Sequence, residues 1–521
     1  MKNKAINIGF VCILLLMVVS SCYEDESTLP AVEYPDIVAD RSNEGSYLTA
    51  VYGEQFLYEP KLGRLDGRDT LWLTTENYDD FNYSWKITLA AGTDTAARVI
   101  SQERVLDVVM TSVPNTGSYN YALMLQVMHK LSGVTKQLNW NVKVLGAYSS
   151  GLLVADTKDG QTSDISLIMS RCYNDDIDDY SKDVTRYDIY SKANNNKIEG
   201  NVSTLSYLSY YGNASITALI KGKSLIQVDP TTMMEQGRDF DLFFYRPEVY
   251  NPQEVFSAVW GSYGVLINGG LVHYYQTYYG MKYSYTPESE YNISEVYIPL
   301  VASSCDALLF DKRNSKFMRF TSRGNAHIID LPASDGVFDP TNMQNLEPVY
   351  GDVANNSTAR CLMKKGDDYF IYEIASRDFS GSKIYDMSNC VGLDKATCYA
   401  FSEANDEFYY GIGEKLYVAI LNTDKPSFHV AYENFGENEK VTHVLMHKGD
   451  GATTWGEKAD GTPLWRDSGN NLLSVATYNE STGEGKIYAL PIQYGGDGGI
   501  AADKYIRVFD RFGQITAIAT K

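Results

Sequence analysis

From Tyr148 onwards one pattern recurs: a short apolar strand, a tight turn of Gly, Asn or Asp, and a second strand that carries aromatic residues. In the clearest unit, Asn268-Gly269-Gly270 separates Gly264–Ile267 from Leu271–Tyr275. Asn and Gly accept the left-handed backbone of a tight turn, so each unit is predicted to be an antiparallel β-hairpin. Six further hairpins are predicted within residues 151–168, 216–228, 307–320, 360–372, 408–419 and 472–490.

The spacing of these hairpins constrains the fold. Seven units within residues 148–521 recur roughly every 53 residues, close to the blade length of kelch and WD-type propellers. A single sheet of this size cannot bury both of its faces, so neighbouring sheets must stack, and a ring leaves no end sheet exposed. We therefore predict a β-propeller of about seven blades over residues 148–521, in which Gly513–Ala519 completes the first blade. An array of β-sandwiches is the alternative that spacing alone leaves open.

Residues 46–147 form a second region with the alternation of half-buried strands. Two long alternating runs, Tyr119–Val127 and Leu138–Val144, flank a turn at Leu131-Ser132-Gly133, and Trp85 lies in a third run. A Trp on a central strand followed by a long hairpin, within about 100 residues, is typical of an immunoglobulin-like sandwich. The predicted fold class is therefore all-β, with a sandwich followed by a propeller.

The first 21 residues have the pattern of a signal peptide. Lys2 and Lys4 precede an apolar run, Ile6–Val19, which is short for a membrane span, and small residues follow it. Cys22 comes directly after Ser20-Ser21, an order that resembles a bacterial lipobox, in which the thiol is diacylated. Two acyl chains hold an otherwise soluble body at a membrane. The alternative is an ordinary signal peptide with an incidental cysteine.

Residues 22–45 are predicted to be an acidic tether. The cluster Glu24-Asp25-Glu26 resembles the signal that exports lipoproteins of certain Gram-negative anaerobes to the cell surface, and a solvated acidic linker is the alternative. The whole chain is also acidic, with 66 acidic and 45 basic residues and a net charge of -21. A surface with this much negative charge repels the phosphate backbone of nucleic acids. No nucleic acid is therefore expected as a partner.

Several of these features together resemble the PKD-like family of surface lipoproteins. They are the strand around Trp85, Gly117-Ser118-Tyr119 before a long strand, Lys130–Gly133 at the hairpin, and the lipobox. The resemblance implies a PKD-like sandwich, a propeller-like C-terminal region and a lipid anchor in the outer membrane, facing the cell surface. It also implies partnership with SusC/SusD-like outer-membrane proteins that take up glycans or peptides.

Five cysteines follow Cys22, namely Cys172, Cys305, Cys361, Cys390 and Cys398. An odd, widely spaced set without a Cys-x-x-Cys motif is neither a disulfide framework nor a zinc site, so buried free thiols are expected. A bridge between Cys390 and Cys398 in an oxidising compartment stays open.

Sequence motifs for catalysis and cofactors are missing. There is no nucleophile elbow, P-loop or dinucleotide fingerprint, and the many acidic residues do not single out a glycosidase pair. The closest histidines, His443 and His447, would lie roughly 13 Å apart on one strand, too far to share a metal ion. The acidic run Asn174–Asp183 lacks the glycine of an EF-hand loop and is interpreted as solvated. We therefore predict no catalytic residue, no metal site, no cofactor and no enzymatic activity.

One segment stands out as a candidate ligand site. Residues 273–285 contain six tyrosines, and neighbouring side chains on a strand point to opposite faces, so some must meet solvent or a partner. Tyrosine suits stacking on sugars or peptides, whereas the alternative is that these rings cover sheet edges and blade seams. The candidate ligand-binding residues are Tyr274, Tyr275, Tyr278, Tyr279, Tyr283 and Tyr285.

Together these features predict a binding or accessory lipoprotein of a SusC/SusD-like uptake system. A propeller glycosidase or lyase, and a docking protein without a small ligand, are the two alternatives.

Overall fold

The computed structural model describes residues 36–41, 47–89, 97–111, 119–177, 180–258, 262–285, 290–299, 305–322, 326–354, 358–403, 405–448, 452–457, 463–467, 469–493 and 497–521. The predicted signal peptide, Cys22 and most of the predicted tether lie outside these ranges. The described residues form two compact units. Unit 1 contains those within residues 1–112 and Asn120–Val142, and unit 2 contains Tyr119 and Lys143–Lys521. None of the described helices has the length and apolar character needed to cross a membrane.

Unit 1 is built from short antiparallel strands. They are β1 (Ile37–Ala39), β2 (Leu48–Val51), β3 (Gln55–Tyr58), β4 (Leu62–Asp66), β5 (Asp69–Trp72), β6 (Phe81–Leu89), β7 (Arg98–Ser101), β8 (Leu106–Val109), β9 (Tyr119–His129) and β10 (Thr135–Leu145), with one helical turn, α1 (Thr75–Tyr78). The sheets have the orders β1-β4-β5, β2-β10-β9-β6-β7 and β3-β8.

The core of unit 1 follows from the alternation of its strands. Trp85 on β6 is fully buried, and its ring centroid lies 5.6 Å from that of Trp140 on β10. The Trp85 indole N–H donates to the carbonyl of Glu103 at 3.0 Å, which satisfies its polar atom. Every second residue of β9, from Tyr121 to Val127, is buried on the same face of the sheet as Trp85. A buried Trp on a central strand is thus the centre of a sandwich-like core.

Unit 2 contains seven successive antiparallel sheets among the described residues, here called blades 1 to 7. Blade 1 begins with β11 (Leu152–Thr157), β12 (Thr162–Met169), β13 (Val184–Arg186) and β14 (Ile198–Glu199). Blade 2 has β15 (Thr204–Tyr210), β16 (Asn213–Ile220), β17 (Ser224–Val228) and β18 (Glu235–Arg238); blade 3 has β19 (Pro252–Ala258), β20 (Tyr263–Asn268), β21 (Leu271–Gln276) and β22 (Ser284–Tyr285). Blade 4 has β23 (Ile293–Ile298), β24 (Ala307–Asp311), β25 (Lys316–Thr321) and β26 (His327–Asp330); blade 5 has β27 (Glu347–Ala354), β28 (Thr358–Lys365), β29 (Asp368–Ile374) and β30 (Gly381–Asp386).

The last blades complete the order. Blade 6 has β31 (Cys398–Phe401), β32 (Glu407–Ile412), β33 (Lys415–Ile420) and β34 (Ser427–Tyr432). Blade 7 has β35 (Lys440–Met446), an inserted hairpin of β36 (Ala452–Glu457) and β37 (Pro463–Asp467), then β38 (Leu472–Asn479), β39 (Glu484–Pro491) and β40 (Arg507–Phe512). The final strand is β41 (Gln514–Thr520), and the helical segments of unit 2 are α2 (Ile189–Asn194) and the 3-10 turns Tyr180–Lys182, Asp239–Leu242, Thr277–Tyr279, Met387–Asn389, Leu393–Lys395 and Asp503–Tyr505.

The seven blades close into a ring. Strand β41 returns to blade 1 and pairs with β11, from Leu152 opposite Thr520 to Thr157 opposite Gln514. Strand β41 is thus the first, innermost strand of blade 1, and β11 is its second strand. The first strands of successive blades contact one another around the centre, including β41 with β15, β15 with β19, β27 with β31, and β35 with β41. These first strands therefore surround the axis of the ring, called the hub below. The predicted all-β class with a seven-bladed propeller, completed by the last strand, is confirmed.

A repeated side-chain contact fixes where the innermost strands begin. In blades 1, 3 and 4 an Asp or Asn at the end of the second strand accepts the backbone N–H of the residue just before the first strand. Asp156 accepts from Gly513 at 2.6 Å, and Asn268 accepts from Asn251 at 2.6 Å. Asp311 accepts from Asn292 at 2.8 Å in the same way. Short Asx side chains bind nearby backbone amides readily, which explains their recurrence at these turns.

Apolar clusters fill the space between neighbouring blades, and one seam also holds a buried ion pair. Arg360 on β28 lies 2.6 Å from Glu373 on β29 and 2.6 Å from Asp406, which directly precedes β32 of blade 6. The Ser382 hydroxyl donates to the second Glu373 oxygen at 2.9 Å. Because Arg360 and Glu373 are both buried, each needs the other's charge.

The five described cysteines are buried free thiols, including Cys390 and Cys398, so these two form no bridge. Burial raises the pKa of each of these two thiols to about 12, which keeps them protonated and unreactive at neutral pH.

Candidate functional site

The tyrosine-rich segment runs along blade 3 and turns at its end. Tyr275 on β21 is buried against blade 2, and its hydroxyl lies 3.0 Å from that of Ser215. Tyr283 is also buried, with its ring 4.9 Å from the Tyr275 ring. No ligand reaches either side chain in this packing, so the prediction that these two residues bind a ligand is corrected: they fill the seam between blades 2 and 3.

Strand alternation sends the neighbouring side chain to the opposite seam. Tyr274 is half-buried and packs between blades 3 and 4, where its ring centroid lies 6.2 Å from that of Phe320. It therefore serves mainly in packing as well. Tyr279 and Tyr285 are described by their backbone alone, and their side chains lie outside the described part of the chain.

Tyr278 differs from the others because its side chain is 64% exposed. Its ring faces Tyr211, which is 79% exposed, with the centroids 6.4 Å apart and the planes at 81°. Tyr210 adds a third ring, 4.5 Å from Tyr211 and at 86° to it. These three residues, from the β15–β16 turn of blade 2 and the turn after β21 of blade 3, form what we call the tyrosine cluster.

Tyr211 adopts a backbone conformation that its side chain disfavours. Tyr211 and Gly212 connect β15 to β16, and both have positive φ, 47° and 82°. Two residues with positive φ make a type I′ turn, for which Asn-Gly is the favoured sequence. A tyrosine here places a large ring in solvent at a cost in backbone energy, and such outliers are concentrated at functional sites. Tyr211 was not predicted from the sequence because Tyr is not a turn-forming residue, although the Gly-Asn that follows it indicates a turn.

A second group of polar side chains lies at the hub. Lys448, just after β35 of blade 7, lies 2.7 Å from Asp352 on β27 of blade 5, so this ion pair bridges two blades that are not neighbours. The Tyr350 hydroxyl donates to the other Asp352 oxygen at 3.2 Å. Lys221, in the turn between β16 and β17 of blade 2, pairs with Glu295 on β23 of blade 4.

Glu254 on β19 is the hub carboxylate with the most perturbed ionisation. Burial raises its pKa to about 7, against hydrogen bonds from Val255 N–H and Thr204 that lower it. Tyr297 on β23 stacks on Phe256 at 4.0 Å, and after burial the charges of Glu254 and Asp352 raise its pKa further. The hub thus brings two carboxylates near one phenol, an arrangement with the elements of acid–base chemistry.

The two histidines that are closest in the sequence are His443 on β35 and His447 just after it. Burial lowers the pKa of His443 to about 4, so it is neutral at physiological pH, and His447 is buried with its ring 5.6 Å from that of Tyr173. No group of three His, Cys, Asp or Glu in the described ranges is placed to hold a metal ion.

Comparison with protein families gives one match, and it includes the strand of Trp85. Residues 22–201 match the PKD-like family. The matched range contains the described part of unit 1 and continues through β14 of blade 1. No curated protein matches the chain.

Solved structures with similar folds have low sequence identity. A quinoprotein alcohol dehydrogenase-like protein from Bacteroides thetaiotaomicron is 14% identical, with a TM-score of 0.42 over 94% of this chain and 99% of that chain. AztD from Citrobacter koseri is 8% identical, with a TM-score of 0.39 over 85% and 98%. A β-propeller domain from Myceliophteria thermophila is 11% identical, with a TM-score of 0.34 over 59% and 86%. At these scores none of the three likenesses carries an argument about what the chain binds.

Proposed function

We propose that this protein is a lipid-anchored binding protein that presents its propeller at the cell surface and captures saccharides through the tyrosine cluster. In this role it serves as an accessory component of a SusC/SusD-like uptake system. Anchoring rests on Cys22 in a segment that resembles a lipobox, and the uptake role rests on the resemblance to PKD-like surface lipoproteins, of which the match of residues 22–201 supports the PKD-like domain alone.

The exposed pair Tyr211 and Tyr278 carries the saccharide part of the proposal. Their rings belong to two different blades and meet nearly at right angles. One ring in such a corner offers its face to the apolar side of a sugar, while the other offers its edge and hydroxyl. Because the two turns are held by rigid sheets, little conformational entropy is lost when a ligand binds.

Saccharide binding is tested with the purified protein and a panel of neutral oligosaccharides, by isothermal titration calorimetry. Tyr211→Asn and Tyr278→Ala are each expected to weaken binding by about fivefold, since stacking of one ring contributes about 1 kcal/mol. Tyr245→Ala is the matched control, because Tyr245 is 73% exposed but lies outside the cluster. Full affinity in both cluster variants would overturn the assignment.

The uptake role has its own test. Native protein purified from outer membranes is expected to retain SusC/SusD-like proteins, and the Tyr211→Asn variant should retain them equally because docking does not use the cluster. Retention without any saccharide binding would favour a docking protein that has no small ligand. Absence of co-purifying transporter components would remove the uptake role.

A glycosidase or lyase is the second candidate function, and the hub favours it. Glycosidases use one carboxyl with a raised pKa as the acid and a second as base or nucleophile. Glu254 has the first property, and Asp352 is the second carboxylate near Tyr297. Turnover of a polysaccharide that Glu254→Gln abolishes would establish this activity, whereas no product from any polysaccharide would exclude this pair.

A further inference from the structure

A cleft of about 710 Å³ lies on blades 4 and 5, away from the tyrosine cluster. One wall is the segment Leu331–Asp335 after β26, and the other is the turn Arg377–Ser380 between β29 and β30. The two walls are joined, because Val337 N–H donates to the carbonyl of Gly381 at 2.7 Å. The cleft is therefore fixed by backbone pairing and has the volume of a small-molecule site.

Two arginines face this cleft. Arg319 on β25 lies with its guanidinium carbon 5.4 Å from the centre of the Phe379 ring, a cation–π distance that orients it. Arg377 forms no hydrogen bond or ion pair with any residue within the described ranges. In a chain with a net charge of -21, an arginine that forms no ion pair is a candidate for binding an anionic ligand.

Three carboxylates, those of Asp330, Asp335 and Asp378, also line the cleft, and two of them have other partners. Asp330 lies 2.5 Å from Lys316. Asp378 accepts the hydroxyl of Ser380 at 2.7 Å and its N–H at 3.0 Å, and these bonds hold the pKa of Asp378 below its ordinary value. None of the three forms an ion pair with Arg377 within the described ranges, although the charge of Arg377 also lowers the pKa of Asp378.

The remaining polar groups suit a sugar. The Ser334 oxygen accepts the N–H of Gly336 at 3.1 Å, which leaves the hydroxyl proton of Ser334 for a ligand. Pro332 adds apolar surface beside it. The volume is far larger than one inorganic anion requires, so the cleft fits a ring that carries an anionic group.

We propose that this cleft binds an acidic sugar residue, with Arg377 paired to the carboxylate of a uronic acid. This deepens the proposed function, on which it rests for the saccharide class, by adding a second subsite selective for charge. Guanidinium and carboxylate form parallel hydrogen bonds of matched geometry, and a neutral sugar lacks that contact.

The test compares sodium glucuronate with glucose by NMR titration of the full-length protein. Wild-type protein is expected to bind glucuronate at least tenfold more tightly than glucose, and Arg377→Gln should remove that preference without changing the melting temperature. Arg511→Gln is the matched control, because Arg511 is an exposed arginine beside Asp510 outside the cleft. Sodium sulfate is the third ligand, and binding of sulfate as tight as that of glucuronate would overturn the sugar assignment.

The outcomes separate this inference from the proposed function. If Arg377→Gln keeps the preference for glucuronate, or wild-type protein has none, the cleft assignment is wrong. Loss of neutral oligosaccharide binding in Tyr211→Asn would still support the tyrosine cluster in that case. Conversely, the preference for glucuronate could depend on Arg377 while the Tyr211 and Tyr278 variants bind neutral oligosaccharides normally. That result would support the cleft as a binding site and reject the tyrosine cluster as one.

Discussion

Replacing Glu254 by Gln is expected to stabilise the propeller, and more so at high pH. The pKa of this glutamate is about 7 in the folded protein, above its value of about 4.5 in the unfolded chain. A raised carboxyl pKa means that the folded state disfavours the charged form. Ionisation at Glu254 therefore costs stability above pH 4.5, and the cost is complete once pH exceeds 7.

The magnitude follows from the two pKa values. The shift corresponds to about 3 kcal/mol at pH 8 and about 1 kcal/mol at pH 5. For a unit of this size, 3 kcal/mol is about 4 °C in melting temperature. Gln keeps the oxygen that accepts the Val255 N–H at 2.9 Å, so the substitution removes the charge without removing that contact.

Thermal unfolding of the variant and of wild-type protein at pH 5 and pH 8 measures this effect. Glu254→Gln should melt about 4 °C higher at pH 8, with a gap near 1 °C at pH 5. Glu347→Gln is the control, because Glu347 is an exposed glutamate at the start of another innermost strand. A gap that does not change with pH, or a variant less stable than wild type at pH 8, would refute the reasoning.

Three other variants give separate tests. Arg360→Met leaves the Glu373 carboxylate buried without its partner, so the free energy of unfolding should fall by about 3–5 kcal/mol in urea titrations, and an unchanged midpoint would contradict the buried ion pair. Tyr211→Asn relieves a left-handed tyrosine and should raise the unfolding free energy by about 1 kcal/mol while binding is lost; a less stable variant would mean that the ring is a packing residue. Cys22→Ala should move the protein from the membrane fraction to the soluble fraction, and unchanged membrane retention would disprove lipidation.

The propeller was predictable because its signals are local. Turns such as Asn268-Gly269-Gly270 mark each hairpin, and their spacing sets the number of blades. The closing strand was predictable for the same reason, since Gly513–Ala519 is an apolar run like those of the other strands. Local patterns also predicted that consecutive tyrosines point to opposite sides of a blade.

The sites were less predictable because they depend on distant partners. Alternation separates Tyr274 from Tyr275, but both sides of a blade are covered by neighbours in a ring, so both rings are packed. The Tyr211–Tyr278 contact joins blades 2 and 3, and the cleft lined by Arg319 and Arg377 lies between β25 of blade 4 and a turn of blade 5. Neither of these contacts between blades can be read from the periodicity of a single strand. The pKa of Glu254 likewise depends on burial at a hub that the first strands of all seven blades form together.

Closure by β41 also determines when the propeller can complete its fold during synthesis. The partner of Leu152 is synthesised about 370 residues after it, so the first sheet waits for the whole chain. Until Gln514–Thr520 emerges, β11 has an open edge of the kind that seeds aggregation. A secretion route that carries the chain unfolded and releases it only at full length would suit this topology, whereas a nonsense mutation shortly before Gln514 should send the product to proteases rather than yield a six-bladed remnant.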